Sequence, residues 1–296
     1  MTTLRGILPV LATPYDGGGE VVESEVRALV RWLVEQGAHG LSAVGEASES
    51  SRMSREERLR LAEVVVDEVG GRVPVIVGVS APNARESAIL AEHAASLSAA
   101  AVFLMPTAGA SYGETLAAFR RVADACGIPL MLQDLYAPMS VASIARLVAD
   151  EPRIRYVKEE VQLPTVATLK MSELRAAAGA GLLLLGGRGG QALLSELRRG
   201  AVASMPACIG VRGLAETFEA WERGDEATAR EAFSRVAPVL LMRAQYSHQI
   251  GKAYLKHLGI FSTVHVREPA GPPVDSIDLD ELLRAIERAE GAPTTL

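Results

Sequence analysis

Eight short apolar runs recur along this chain, each followed by a longer stretch with helical spacing, and that alternation leaves few folds open. The runs are Ile7–Ala12, Gly40–Val44, Val73–Val79, Ala101–Met105, Pro129–Gln133, Ile154–Lys158, Leu182–Leu185 and Ala201–Met205. Each is too short for a buried helix and reads as a strand covered on both faces. Ser54-Arg55-Glu56-Glu57 has the form of a capping box ahead of Leu59, Leu61, Val64 and Val65, which fall at helical spacing. Asn83-Ala84-Arg85-Glu86 repeats the device, and Gly70-Gly71, Gly127 and Gly200 stop helices before the next strand. Eight strand–helix units in succession predict a (β/α)8 TIM barrel. An open doubly wound sheet is the competing solution, but no Gly-x-Gly-x-x-Gly follows the first strand.

The length agrees, since 296 residues suit one barrel plus an appendage. Past about Arg223 the pattern becomes purely helical, with helices expected over Glu226–Met242, His248–Leu258 and Asp278–Glu290. Arg267–Ser276, with three prolines and a glycine, links the last two. The expected organisation is therefore a catalytic barrel over residues 1–223 and a C-terminal helical extension over 224–296.

Composition removes several function classes. Hydrophobic residues make up 49% and charged ones 22%, which supplies a core and excludes disorder. A net charge of −6 with no clustered basic stretch argues against nucleic acid as a partner. No run of 18 apolar residues offers a membrane span, and no signal peptide is visible, so a cytoplasmic protein is expected. Cys126 and Cys208 stand far apart, and the five histidines are scattered without ligand spacing. Neither a disulfide framework nor a metal site is expected, and no cofactor.

Among 30 basic residues only four are lysines: Lys158, Lys170, Lys252 and Lys256. Only lysine gives a neutral amine for covalent chemistry, so each is a candidate nucleophile. Lys158 closes the sixth run, and in a barrel the strand C-termini carry the active site. Strand alternation puts Tyr156 and Lys158 on one face. Facing inward, such an amine attacks a ketone to form a Schiff base; facing outward, it is a lysine snorkelling to solvent. Glu160, two residues on, shares the direction of Lys158 and is the candidate acid/base; Glu159 reads as a solvated loop carboxylate. Gln133, ending the fifth run among Leu130, Met131 and Leu132, is either a structural hydrogen-bonder or a ligand contact. Gly187, Arg188 and Gly189 belong to a glycine-rich turn after the seventh run, whose backbone N–H groups can approach an anion. Ser48 and Glu49, in the polar turn after the second run, are further substrate-binding candidates, although Ser48 serves equally well as a cap.

Several of these stretches are similar to the dihydrodipicolinate synthase / N-acetylneuraminate lyase family of class I (Schiff-base) aldolases. Gly6-Ile7-Leu8-Pro9-Val10-Leu11-Ala12-Thr13-Pro14-Tyr15 resembles the family's opening strand. Ser48-Glu49-Ser50 with Met53-Ser54-Arg55-Glu56-Glu57-Arg58 resembles its second loop and following helix start. Arg72-Val73-Pro74-Val75-Ile76-Val77-Gly78-Val79 resembles its third strand, and Tyr156-Val157-Lys158-Glu159 falls where the family has its Schiff-base lysine. The resemblance implies a barrel with C-terminal helices, a lysine imine and a dimer of dimers.

The departures are as informative. The family's Gly-Thr-Thr-Gly-Glu reads Gly45-Glu46-Ala47-Ser48-Glu49 here, so both threonines that hold the keto-acid carboxylate are gone. Its two relay tyrosines align with Gln133 and Ala108. The branch acting on 2-keto-3-deoxy-L-arabonate is similar in carrying Gln-Asp on the fifth strand and a glutamate two after the lysine. The expected function is thus a Schiff-base lyase, dehydratase or aldolase, on a small 2-oxo acid such as a 2-keto-3-deoxy sugar acid. A condensing or retro-aldol enzyme and a non-catalytic metabolite binder are the alternatives.

Overall fold

The computed structural model describes residues 3–161, 163–179, 181–271 and 273–290; Pro272 in the expected linker and residues 291–296 of the expected extension lie outside them. Eight parallel strands alternate with helices. They are β1 (Gly6–Ile7), β2 (Leu41–Ala43), β3 (Val75–Gly78), β4 (Ala101–Leu104), β5 (Leu130–Asp134), β6 (Ile154–Glu159), β7 (Leu183–Gly186) and β8 (Ala201–Ser204). Their order in the sheet is β1-β8-β7-β6-β5-β4-β3-β2. The ring closes just beyond β1, where Ser42 N–H donates to Pro9 O and Leu11 N–H to Ser42 O, both at 2.9 Å. The first strand is shorter than the run Ile7–Ala12 because Pro9 has no N–H for a ladder. This is the (β/α)8 architecture that the alternating runs predict.

The helices of the barrel are α1 (Glu23–Glu35), α2 (Arg55–Val69), α3 (Ala84–Ser96), α4 (Tyr112–Cys126), α5 (Val141–Asp150), α6 (Pro164–Ala178), α7 (Leu193–Leu197) and α8 (Val211–Glu222). Ser54 and Glu57 form the expected reciprocal cap on α2, at 2.8 and 3.1 Å. At α3 only half of the device forms. Asn83 Oδ1 accepts from the Arg85 and Glu86 amides, but the Glu86 carboxylate turns away to Arg55.

Side chains divide into two apolar layers, as strand alternation requires. Leu8, Ile76, Phe103, Met131, Tyr156 and Leu185 pack inside the ring. Val77, Val102, Leu132, Val157 and Leu184 pack outward against the helices. Inward residues of β5 and β6 therefore continue as Gln133 and Lys158, which are register partners at the ring's C-terminal mouth.

Beyond α8 come α9 (Glu226–His257) and α10 (Ser276–Glu290). The two helices expected over 226–242 and 248–258 are one continuous helix. The polar stretch between them suggested a break because its apolar period lapses there. In the fold those residues cross the barrel mouth, where Arg243 and His248 face a cavity instead of a core. Among the described residues, no helix is long and apolar enough to cross a membrane.

Candidate active site

Lys158 stands at the end of β6 with only 4% of its surface exposed, directly above Tyr156 inside the ring. Its ammonium donates to Glu160 Oε1 at 2.8 Å. The same oxygen accepts from Gln133 Nε2 at 2.5 Å, and Oε2 accepts from the backbone N–H of Arg188 at 3.1 Å. Three segments that the sequence singled out, the ends of β5 and β6 and the turn after β7, thus meet on one carboxylate. They border a cavity of about 310 Å³ at the mouth of the barrel.

The turn after β7 is glycine-rich for a steric reason. A Cβ on Gly187 would lie 2.1 Å from Glu160 Oε2, and one on Gly186 would lie 1.8 Å from Glu196 Oε2. The expectation that Gly187 and the following amide hold substrate is corrected here. Gly187 is absent from the cavity wall, and the Arg188 amide is already spent on Glu160, while Arg188 and Gly189 do line the wall.

Ser48 and Glu49 also lie elsewhere. The Ser48 hydroxyl donates to Leu11 O at 2.7 Å and accepts from Gly45 N–H, so it fastens the turn to the first strand. Glu49 is buried beneath α9, where it accepts from Lys252 at 2.6 Å and from the Arg267 amide at 2.9 Å. Neither reaches the cavity. Glu159, expected in solvent, is fully buried on the outer face of β6. There Lys170 pairs with both Asp134 and Glu159, the latter at 3.2 Å. Burial, aided by the charge of Asp134, raises Glu159 well above the usual carboxylate range, and Lys170 pulls the other way. Of the four lysines, Lys158 alone lines the cavity.

Four residues of the site were not picked out from sequence. Tyr136 lines the cavity and donates its hydroxyl to Glu46 Oε2 at 2.9 Å. Burial and the Glu46 carboxylate push its phenol up to about 12. Its signal was available, since it lies three residues after Gln133 on the same loop. Glu196 of α7 sits fully enclosed behind Glu160 under Gly186, and burial, reinforced by the charge of Glu160, pushes its carboxyl up to about 8. Arg243 and His248 come from α9. Burial, with the charge of Arg243 second, lowers His248 to about 4, so its imidazole is neutral at neutral pH. No sequence motif marks either.

Comparison with known proteins agrees with this geometry. The family model described as "Dihydrodipicolinate synthetase family" matches residues 3–289. A 4-hydroxy-tetrahydrodipicolinate synthase of Acidiphilium cryptum is 33% identical over 280 residues, covering 90% of this chain and 92% of that protein. The enzyme of the same name from Nitrobacter hamburgensis is 32% identical over 302 residues, covering 96% and 97%. Among solved structures, the prophage protein YagE of E. coli K12, in complex with pyruvate, has a TM-score of 0.87 at 23% identity, covering 98% of this chain and 99% of that one. N-acetylneuraminate lyase from Mycoplasma synoviae has a TM-score of 0.84 at 19% identity, covering 96% and 97%. With a barrel, a lysine at the end of its sixth strand and a family match that spans nearly all of its length, this chain belongs to the dihydrodipicolinate synthetase family of class I aldolases.

Proposed function

We propose that this protein is a Schiff-base lyase in which Lys158 attacks the carbonyl of a small 2-oxo acid, with dehydration of a 2-keto-3-deoxy sugar acid as the reaction. One observation carries the reading: a buried lysine opens on a cavity with a carboxylate 2.8 Å from its nitrogen. Glu160 is placed to take the ammonium proton and return it to the carbinolamine hydroxyl, which leaves as water when the iminium forms. Glu160, ionised again, takes the proton from C3, and the C–H electrons pass to the iminium to give an enamine. Glu160 returns that proton to the C4 hydroxyl, which the enamine expels as water, and hydrolysis of the resulting iminium frees Lys158. Gln133 and the Arg188 amide hold the Glu160 carboxylate against Lys158 throughout. Glu160 takes the part that a tyrosine plays in relatives, because Gln133 stands at that tyrosine's position and has no proton to give.

A condensing reaction is the second reading, favoured by relatives named 4-hydroxy-tetrahydrodipicolinate synthase. The absence of both threonines and both relay tyrosines weighs toward dehydration. Borohydride reduction with a panel of 2-oxo acids tests the shared chemistry. A substrate-sized mass is expected on Lys158 and none in Lys158→Arg. Label on Lys170, Lys252 or Lys256, or no label with any acid, sinks the covalent reading and favours a binding protein.

We also infer a cytoplasmic homo-oligomer, arranged as a dimer of dimers. Leu163, Val166 and Leu169 support association, since they repeat every three residues at the start of α6 with 61%, 47% and 58% of their surfaces exposed. A monomer in light scattering at micromolar concentration contradicts it.

A further inference from the structure

The cavity wall carries five ionised side chains: Lys158, Arg188 and Arg243 against Glu46 and Glu160. A chain of net charge −6 thus keeps a net positive cavity at its barrel mouth. The two carboxylates have partners there, Lys158 for Glu160 and Tyr136 for Glu46. His248 carries no charge at neutral pH. Arg243 differs from all of them. It forms no hydrogen bond or ion pair with any described residue, and its Nε is shut off from water with no partner. The Gly189 backbone lies beside it, with Arg243 Cδ 3.9 Å from where a Cβ on that glycine would stand. An arginine held this way leaves a buried donor unpaired, which is costly unless an anion completes it.

The second loop is a poor place for that anion. Glu46 projects a carboxylate into the same cavity from the stretch where relatives carry threonines, and the Ser48 hydroxyl is consumed by Leu11 O. A substrate carboxylate is repelled by Glu46 and drawn to the cationic part of the wall.

We propose that Arg243 of α9 is the recognition residue for the carboxylate of the 2-oxo acid, so that anion binding has moved from the second barrel loop to the C-terminal helix. The planar guanidinium presents two parallel N–H donors to a carboxylate, which fixes the carbonyl's direction toward Lys158. This rests on the Schiff-base reading for its substrate, but the binding itself is measurable without it.

The test uses three small probes on the full chain: pyruvate, hydroxyacetone and lactate. Pyruvate and hydroxyacetone carry the same ketone, with and without a carboxylate, and lactate carries the carboxylate without a ketone. Borohydride trapping should favour pyruvate over hydroxyacetone in the parent. Arg243→Met should cut that preference by roughly 10- to 100-fold, the worth of a charge-assisted bond, with Arg243→Lys in between. Calorimetry should show lactate binding weakened by a similar factor. Arg243→Gln repeats both measurements if Arg243→Met fails to fold. An unchanged preference, or lactate bound equally by parent and variant, overturns the proposal. Weakened lactate binding with no adduct in the parent upholds Arg243 and overturns the Schiff-base reading alone.

Discussion

Lys158–Glu160 and Lys252–Glu49 are both buried lysine–glutamate pairs, at 2.8 and 2.6 Å, yet their surroundings give them different work. Lys252 is saturated. Beyond Glu49 it donates to His265 O at 2.7 Å, and its ammonium lies 4.5 Å from the centre of the Tyr15 ring. The second oxygen of Glu49 is taken by the Arg267 amide and, at 3.3 Å, by Arg52. Nothing is left for a ligand. Among the described residues Lys158 has Glu160 as its one hydrogen-bond partner, and a cavity lies beside it. A buried ion pair is a brace where every donor is matched and a reaction centre where one is left over. Breaking a buried pair by removing one partner is costly in either place, but only the second should cost chemistry.

The sharpest way to break this comparison is at the carboxylates. Glu160→Gln should lower turnover by roughly 10²–10⁴-fold, the usual range for a general acid/base, beyond the stability loss expected when Lys158 is left without its counter-charge. Turnover near that of the parent would move the acid elsewhere, with Glu46, held by Tyr136 in the same cavity, next in line.

At the lysines the expected effects reverse. Lys252→Met takes from Glu49 its nearer cation, leaving Arg52 at 3.3 Å, and takes from the His265 carbonyl its donor; it should cost about 3–5 kcal/mol in denaturant unfolding, with the Lys158 adduct still formed by the folded fraction. Lys158→Met should abolish the adduct with a smaller stability loss, because Glu160 keeps the Gln133 and Arg188 donors. Equal losses at the two sites would erase the distinction.

The smallest expected effect concerns Glu196. Folded, its carboxyl keeps a proton up to about pH 8; unfolded, it releases it near its ordinary 4.5. The folded state thus binds the extra proton between these values, and stability falls as pH rises through that window. Urea midpoints measured from pH 5 to 9 should drop less steeply for Glu196→Gln than for the parent. Parallel curves would show that this carboxyl does not titrate as proposed.

Much of this was legible in the sequence because burial inside a barrel imposes a period of two. The same alternation that makes Leu132 and Val157 outward and apolar makes Met131, Gln133, Tyr156 and Lys158 inward; from the sequence it put Lys158 on the face of Tyr156 and left open whether that face is the inner one. What stayed hidden depends on contacts between distant segments. Glu49 looked like a loop ligand because its partner Lys252 is 203 residues away. Glu159 looked solvated because Lys170, on the next helix, does not announce that it folds back. Arg243 lay in a stretch whose lapse in apolar period imitates a helix end, when the lapse marks a helix passing over open space.

That passage has an evolutionary consequence. The proposed nucleophile sits on a strand of the ring, whereas two residues facing the cavity, Arg243 and His248, ride on a helix that follows all eight strand–helix units. Changes along one stretch of α9 can re-specify which acids enter without disturbing the register that aims Lys158. A lineage carrying this arrangement can explore new substrates by drift in its C-terminal third while its chemistry stays sheltered in the barrel.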